Sequence, residues 1–434
     1  MPTTDSPVQH SASPRFSQRA RQFGDQPISY LMQKALDDAG LISLAAGFVD
    51  PATLPTDATR TAVDAVLADP RTARAALQYG SNQGLGELRE AVLARLLADD
   101  GQTVAEAGLT ADAVVMTSGS NELLHLVSDV LLDDGDLVLC AAPSYFVFQG
   151  TLAYAGAQSY GVAIDAEGMI PAALEETFQR LETAGQLPRI KLLYVTSYFD
   201  NPSSVTLAES RRHELVEIVR RWSKHHHIYI LEDIAYRPLR YEGPDIPSIR
   251  SFDEAGDRVI VAQTFSKAFS PGLRVGCGFL PRPLLAPLLR QKAATDFGSP
   301  SFSQHVLLKV LELGLLEPHV ARLCQSYRAK RDVMLRALDE HLRPIEGVSW
   351  LDPHGGIYVW ADLPPQVDTG FEGELFDLAL DERMMYVPGQ YCYPGQGAPA
   401  AKNQVRLSFG DQPAERVAEG IAALGRALRR ALGA

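Results

Sequence analysis

The chain of 434 residues is long enough for two domains, or for one large domain with a satellite. Its 46% hydrophobic and 21% charged residues are the balance of an ordinary soluble globular protein, and no apolar run approaches the roughly 18 residues that a membrane helix needs. A formal net charge of −13 argues against a nucleic-acid partner, because a phosphate backbone is bound by a basic footprint. Four widely spaced cysteines (Cys140, Cys277, Cys324 and Cys392) show no CxxC pair. That spacing suits reduced thiols in the cytoplasm better than a disulfide framework or a zinc site.

In chain order, residues 1–25 are polar and carry no apolar periodicity, which predicts a flexible arm. They lack acidic residues over 8–22, a feature of transit peptides, but no amphipathic face accompanies it. Ile28, Leu31, Met32, Ala35 and Leu36 are spaced for a helix over 28–39. Ile42-Ser43-Leu44-Ala45-Ala46-Gly47-Phe48-Val49-Asp50-Pro51 then reads as a short strand turning at Gly47. A Gly-rich loop with Tyr79, Gly80, Gly84 and Gly86 runs into a helix at Glu87-Leu88-Arg89.

Val114-Val115-Met116-Thr117 reads as a strand, and Ser118-Gly119-Ser120-Asn121 opens an amphipathic helix that continues to Leu132. Such a turn offers unpaired N–H groups and the positive end of a helix dipole, a cradle for phosphate; the same turn also serves as a plain N-cap. A strand over 137–140 leads to Tyr145-Phe146, and Ile190–Thr196 is a buried strand followed by Asp200-Asn201-Pro202. A helix over 209–224 precedes His225-His226-His227, which points three ways at once and reads as a surface turn. The strand starting at Ile228 ends in Glu232-Asp233, with Tyr236 three residues on. A carboxylate at a buried strand end needs a cation to offset its desolvation.

The apolar run over 258–262 precedes Thr264-Phe265-Ser266-Lys267, with Arg274 seven residues beyond the lysine and a further strand over 275–280. Ligands of open α/β sheets sit beyond the carboxyl ends of strands, so this stretch is placed for chemistry. Helical periodicity follows over 302–315 and 317–342. Pro353-His354-Gly355-Gly356-Ile357-Tyr358-Val359-Trp360 resembles a hairpin, a strand over 403–410 holds Arg406, and the Ala/Arg-rich helix over 414–432 alternates as a solvated face would.

In that order, Tyr79, Gly119-Ser120, Tyr145, Asn201, Asp233, Tyr236, Lys267, Arg274 and Arg406 resemble the fold type I pyridoxal phosphate (PLP) enzymes, the aspartate aminotransferase superfamily. The likeness runs from about residue 28 to 425. Its details look most like the aminotransferases for aromatic amino acids and 2-aminoadipate, and like the effector domains of related regulators. The resemblance implies an α/β fold: a large domain with a mostly parallel sheet flanked by helices, plus a smaller α+β domain. Residues 1–60 would form the arm and the substrate-side segment, 61–315 the large domain and 316–434 the small one.

The resemblance further implies that Lys267 forms a Schiff base with the cofactor aldehyde, that Asp233 partners the pyridine nitrogen, and that Asn201 and Tyr236 reach its phenolic oxygen. Tyr145 would stack on the ring, with Phe146 the nearby competitor. Gly119, Ser120, Asn121, Thr264, Ser266 and Arg274 would hold the phosphate, joined by Tyr79 from the second chain of a homodimer. Gly47, Asn201 and Arg406 would bind the amino acid, though many relatives carry Gly-Gly-x-Pro where this chain has Ala-Gly-Phe-Val-Asp-Pro. The implied reaction is transfer of an amino group from an α-amino acid to a 2-oxo acid such as 2-oxoglutarate. A PLP lyase or decarboxylase would use the same residues. A regulator that only senses PLP would need a helix-turn-helix module, for which the few residues before the first helix and the acidic charge are ill suited.

Overall fold

In a computed structural model, residues 14–17, 27–38 and 40–433 are described. Apart from 14–17, the expected flexible arm lies outside them, as does Ala39, the expected end of the first helix, which spans Pro27–Asp37. The dominant element is a nine-stranded sheet. Across it run Gln396–Gly397, Gln158–Asp165, Leu137–Ala142, Ile190–Thr196, Tyr229–Asp233, Val259–Thr264, Gly276–Phe279 and Val114–Thr117, with Gly168–Met169 beside Gln158–Asp165. The strands from Gln396–Gly397 to Val259–Thr264 are parallel, and Gly276–Phe279 is antiparallel to both of its neighbours.

The central strands are mostly apolar because both faces of the sheet are covered. Leu139, Leu193, Ile230 and Val261 enter one hydrophobic core, while Cys140, Leu192, Leu231 and Ile260 enter another. Parallel neighbours require crossovers, and helices such as Ser120–Leu131 and Glu209–Trp222 supply them. One consequence positions the site. The carboxyl ends of three adjacent strands, Thr196, Asp233 and Thr264, come together at one edge of the sheet.

A second, antiparallel sheet orders Ser349–Trp350, Tyr358–Asp362, Gln404–Ser408 and Val387–Pro388. Helices Leu316–His341 and Ala414–Ala431 pack on each other beside it. The N-terminal segment joins this part of the chain, because Ile42–Ser43 pairs in parallel with Met384–Met385. Asp50 ties the same segment to helix Leu316–His341 through Lys330 at 2.9 Å and the Tyr327 hydroxyl, which accepts from its backbone N–H at 3.1 Å.

Helix Ala414–Ala431 corrects the sequence reading. Instead of a solvated alternation it has a core face, where Val417, Ile421, Leu424 and Leu428 are fully buried. The intervening alanines and glycines pack closely as well: Gly420 sits where a Cβ would come 2.9 Å from Ile42. The His225-His226-His227 segment is irregular, and two of its rings take separate backbone partners, Ile190 O for His226 and Asp257 O for His227.

Candidate active site

A cavity of about 300 Å³ opens at the carboxyl edge of the large sheet. Lys267 reaches it three residues past the end of Val259–Thr264, and its Nζ donates to Gly47 O at 2.5 Å. Burial, with Arg406 and then Arg274 adding like charge, pulls its pKa from 10.5 down to about 8. A near-neutral amine is what reaction with an aldehyde requires.

Asp233 ends the neighbouring strand inside the cavity. It accepts the Ala235 N–H at 3.0 Å and the Tyr194 hydroxyl at 3.3 Å, and no ion pair involves it among the described residues. Burial outweighs these bonds and pushes the carboxyl up to about 6. A cation placed against it would reverse that shift, which suits a protonated pyridine nitrogen.

Backbone N–H groups, hydroxyls and a guanidinium gather at another corner of the cavity. Helix Ser120–Leu131 starts without a side-chain cap, which leaves its first N–H groups available. Its N-cap, Gly119, has φ +81°, and a Cβ there would stand 2.7 Å from Arg274 Nη2. Arg274 donates to Ser118 O at 3.1 Å and to Ser266 Oγ at 3.5 Å, while the Thr264 and Ser266 hydroxyls lie 3.0 Å apart. Helix N-terminus, paired hydroxyls and guanidinium all face one corner. That donor set fits a phosphate dianion.

Tyr145, the N-cap of helix Phe146–Tyr154, lines the cavity, as do Asn121, Asn201 and Tyr236. Arg406 is not itself among the residues that line the cavity. It is buried one layer behind the wall, its Nη1 donating to Asn201 Oδ1 at 2.7 Å and its Nη2 to Ala45 O at 2.6 Å. Its Nε is buried without a partner. Tyr79 is not brought to the cavity by its own chain; it is 80% exposed and packs edge-on against Phe297.

Three site residues escaped the sequence reading. Tyr194 and Thr196 line the cavity from within the Ile190–Thr196 strand, where their apolar neighbours disguised them as core. Tyr358 places its hydroxyl 3.0 Å from that of Tyr236 and 3.4 Å from Asn201 Nδ2. Its signal was available only through pairing: Trp360 lies opposite Arg406, so Tyr358 shares that face.

A lysine past one strand end, a carboxylate at the next and a phosphate-binding helix N-terminus define a PLP site of the fold type I arrangement. The chain belongs to the family described as aminotransferase class I and II, whose pattern matches residues 40–424, and it is a PLP-dependent aminotransferase. It is 33% identical to aromatic-amino-acid aminotransferase 1 of Thermococcus litoralis over 95% of this chain and 94% of that one. It is 32% identical to 2-aminoadipate transaminase of Thermus thermophilus over 90% of each. Kynurenine aminotransferase of Pyrococcus horikoshii, solved with PMP, superposes with a TM-score of 0.87 at 30% identity, covering 96% of this chain and 98% of that chain. Among the described residues, no helix is long and apolar enough to cross a membrane.

Proposed function

We propose that this aminotransferase moves the amino group of an aromatic or 2-aminoadipate-like amino acid to 2-oxoglutarate, in the cytoplasm, as a homodimer with shared sites. The observation that carries the assignment of roles is the convergence of Lys267, Asp233 and the Gly119–Arg274 corner on one cavity. Residues 61–315 would form most of the cofactor-binding part and 316–433 most of the smaller part, with residues 42–50 packed against the latter.

When bound, PLP supplies an aldehyde that takes up amines and a ring that withdraws electrons from the substrate Cα. Ser120, Asn121, Thr264, Ser266 and Arg274 hold its phosphate, and Gly119 lets the backbone approach. Asp233 keeps a proton on the pyridine nitrogen. Asn201 and Tyr236 donate to the phenolic oxygen, and Tyr145 covers the ring. The near-neutral Lys267 amine would serve as the base that takes the proton from the substrate Cα and as the acid that returns it.

Arg406 receives the substrate's α-carboxylate. Its present partners are neutral carbonyl oxygens, and a carboxylate is the stronger acceptor for a guanidinium fork. Gly47, whose carbonyl holds Lys267, borders the same substrate space. The dimer reading draws on an exposed apolar patch: Leu77, Tyr79 and Phe297 are 73%, 80% and 63% exposed.

A half-reaction screen tests the function. PLP-loaded protein is mixed with each amino acid while the cofactor's absorption and the released 2-oxo acid are followed. Aromatic amino acids or 2-aminoadipate should react fastest. Carbon dioxide release in place of a 2-oxo acid would point to decarboxylation.

A further inference from the structure

Tyr358 opens the strand Tyr358–Asp362, which pairs antiparallel with Gln404–Ser408 so that Tyr358 faces Ser408 and Trp360 faces Arg406. Side chains alternate along a strand, so Tyr358 and Arg406 are diagonal neighbours on one face. The Arg406 guanidinium lies 4.3 Å from the centre of the Tyr358 ring. That ring meets Tyr236 edge-on at 5.8 Å and 73°. Only 1% of Tyr358 is exposed, so these contacts fix where its hydroxyl goes.

The hydroxyl sits where three residues of the cavity lining, Gly47, Asn201 and Tyr236, meet. Asn201 Nδ2 donates to it at 3.4 Å, and the Tyr236 hydroxyl is 3.0 Å away. It also abuts Gly47, where a Cβ would stand 2.4 Å from it. One phenol oxygen thus touches three residues of the cavity wall while its ring supports Arg406.

The proton inventory is uneven. Two phenols bring two O–H protons: in the proposed arrangement Tyr236 sends its own to the cofactor's phenolic oxygen, and the Tyr358 proton is then free to go either to the Tyr236 oxygen or to an incoming acceptor. Among the described residues, no carbonyl or carboxylate oxygen accepts from either hydroxyl. Arg406 Nε, one layer behind that wall, is a buried donor without an acceptor. Buried donors left unmatched beside a guanidinium favour an anionic acceptor, and a carboxylate has lone pairs enough for an arginine fork and a phenol together.

We infer that the Tyr358 hydroxyl donates a hydrogen bond to the substrate's α-carboxylate, and so sets specificity for carboxylate-bearing amines together with Arg406. This rests on the assignment of Arg406 to that carboxylate. The alternative is a positioning role in which Tyr358 donates only to Tyr236.

The test uses two amines that differ only in a carboxylate, 2-aminoisobutyrate and isopropylamine; the former has no Cα–H to lose. Each is titrated into PLP-loaded protein and followed by the cofactor's absorption, for wild type, Tyr358→Phe and Arg406→Lys. Tyr358→Phe should weaken 2-aminoisobutyrate about tenfold, the worth of one hydrogen bond to a charged group, and leave isopropylamine within about twofold. Equal weakening of both amines, or of neither, overturns the inference. If Arg406→Lys keeps the wild-type preference for the carboxylate, the reading of Arg406 is what fails. If Arg406→Lys loses that preference and Tyr358→Phe does not, only the role of Tyr358 fails. Unchanged isopropylamine affinity doubles as the control for an intact site, and Tyr358→Met removes the same donor should the Phe variant not fold.

Discussion

Burial sets the chemistry of individual residues here. Lys267 is held near pKa 8 by desolvation and by two arginines, so its neutral fraction falls about tenfold for each pH unit below 8. Covalent capture of PLP by cofactor-stripped protein should therefore slow as pH drops from 8 to 6 and level off above 8. Stopped-flow absorbance measures this, and an inflection near 10 would mean that the amine is not desolvated. Asp233 shows the opposite shift for the same reason, and its remedy is a cation. Asp233→Asn keeps the shape but removes the charge that, in the proposed arrangement, holds the pyridine proton. Turnover should fall on the order of 10²–10³-fold while PLP affinity changes little. A variant within tenfold of wild type, measured by steady-state kinetics, would refute the pairing.

At the scale of elements, strand ends were legible and cross-strand partners were not. The run Ile190–Thr196 was found to the residue, because a strand covered on both faces is an apolar run that stops where polar chemistry begins. Other boundaries moved by one to three residues: the strand read over 258–262 is Val259–Thr264, and the helix read over 209–224 is Glu209–Trp222. Tyr358 and the capped state of Arg406 stayed hidden because both depend on which segments pair far along the chain. The C-terminal helix was misread because alanine and glycine count as neutral in a charge pattern yet pack closely in a core. Gly276 gives the element scale its test. A Cβ there would meet Gly119 C at 2.7 Å and Ser120 N at 2.8 Å, both backbone atoms of the phosphate cradle. Gly276→Ala should thus lower PLP affinity at least about tenfold with the circular dichroism spectrum unchanged, since the strand can yield only by displacing the helix start. Unaltered affinity in an equilibrium titration would show that the cradle tolerates the shift.

Across the whole molecule, the site draws on distant parts of one chain: Gly47 and Ala45 from the N-terminal segment, the large sheet's carboxyl edge, and Tyr358 with Arg406 from the second sheet. Tyr79 is the candidate site residue this chain leaves outside the cavity, exposed in an apolar patch; the proposed homodimer would bring its hydroxyl to the phosphate held by a second copy. Mixing Tyr79→Phe with Lys267→Ala chains tests that arrangement. In a mixed dimer, the site with the intact Lys267 receives an intact Tyr79 from its partner. Its PLP affinity should exceed that of the Tyr79→Phe homodimer; simple averaging of the two parents would rule out shared sites. The central assignment, covalent attachment of PLP at Lys267, has a more direct test. PLP-loaded protein is reduced with borohydride, digested, and its peptides mapped by mass spectrometry. The pyridoxyl label should fall on the peptide carrying Lys267. Label on another lysine, such as the buried Lys292 that is bound to Glu122 and Asp296, would contradict it.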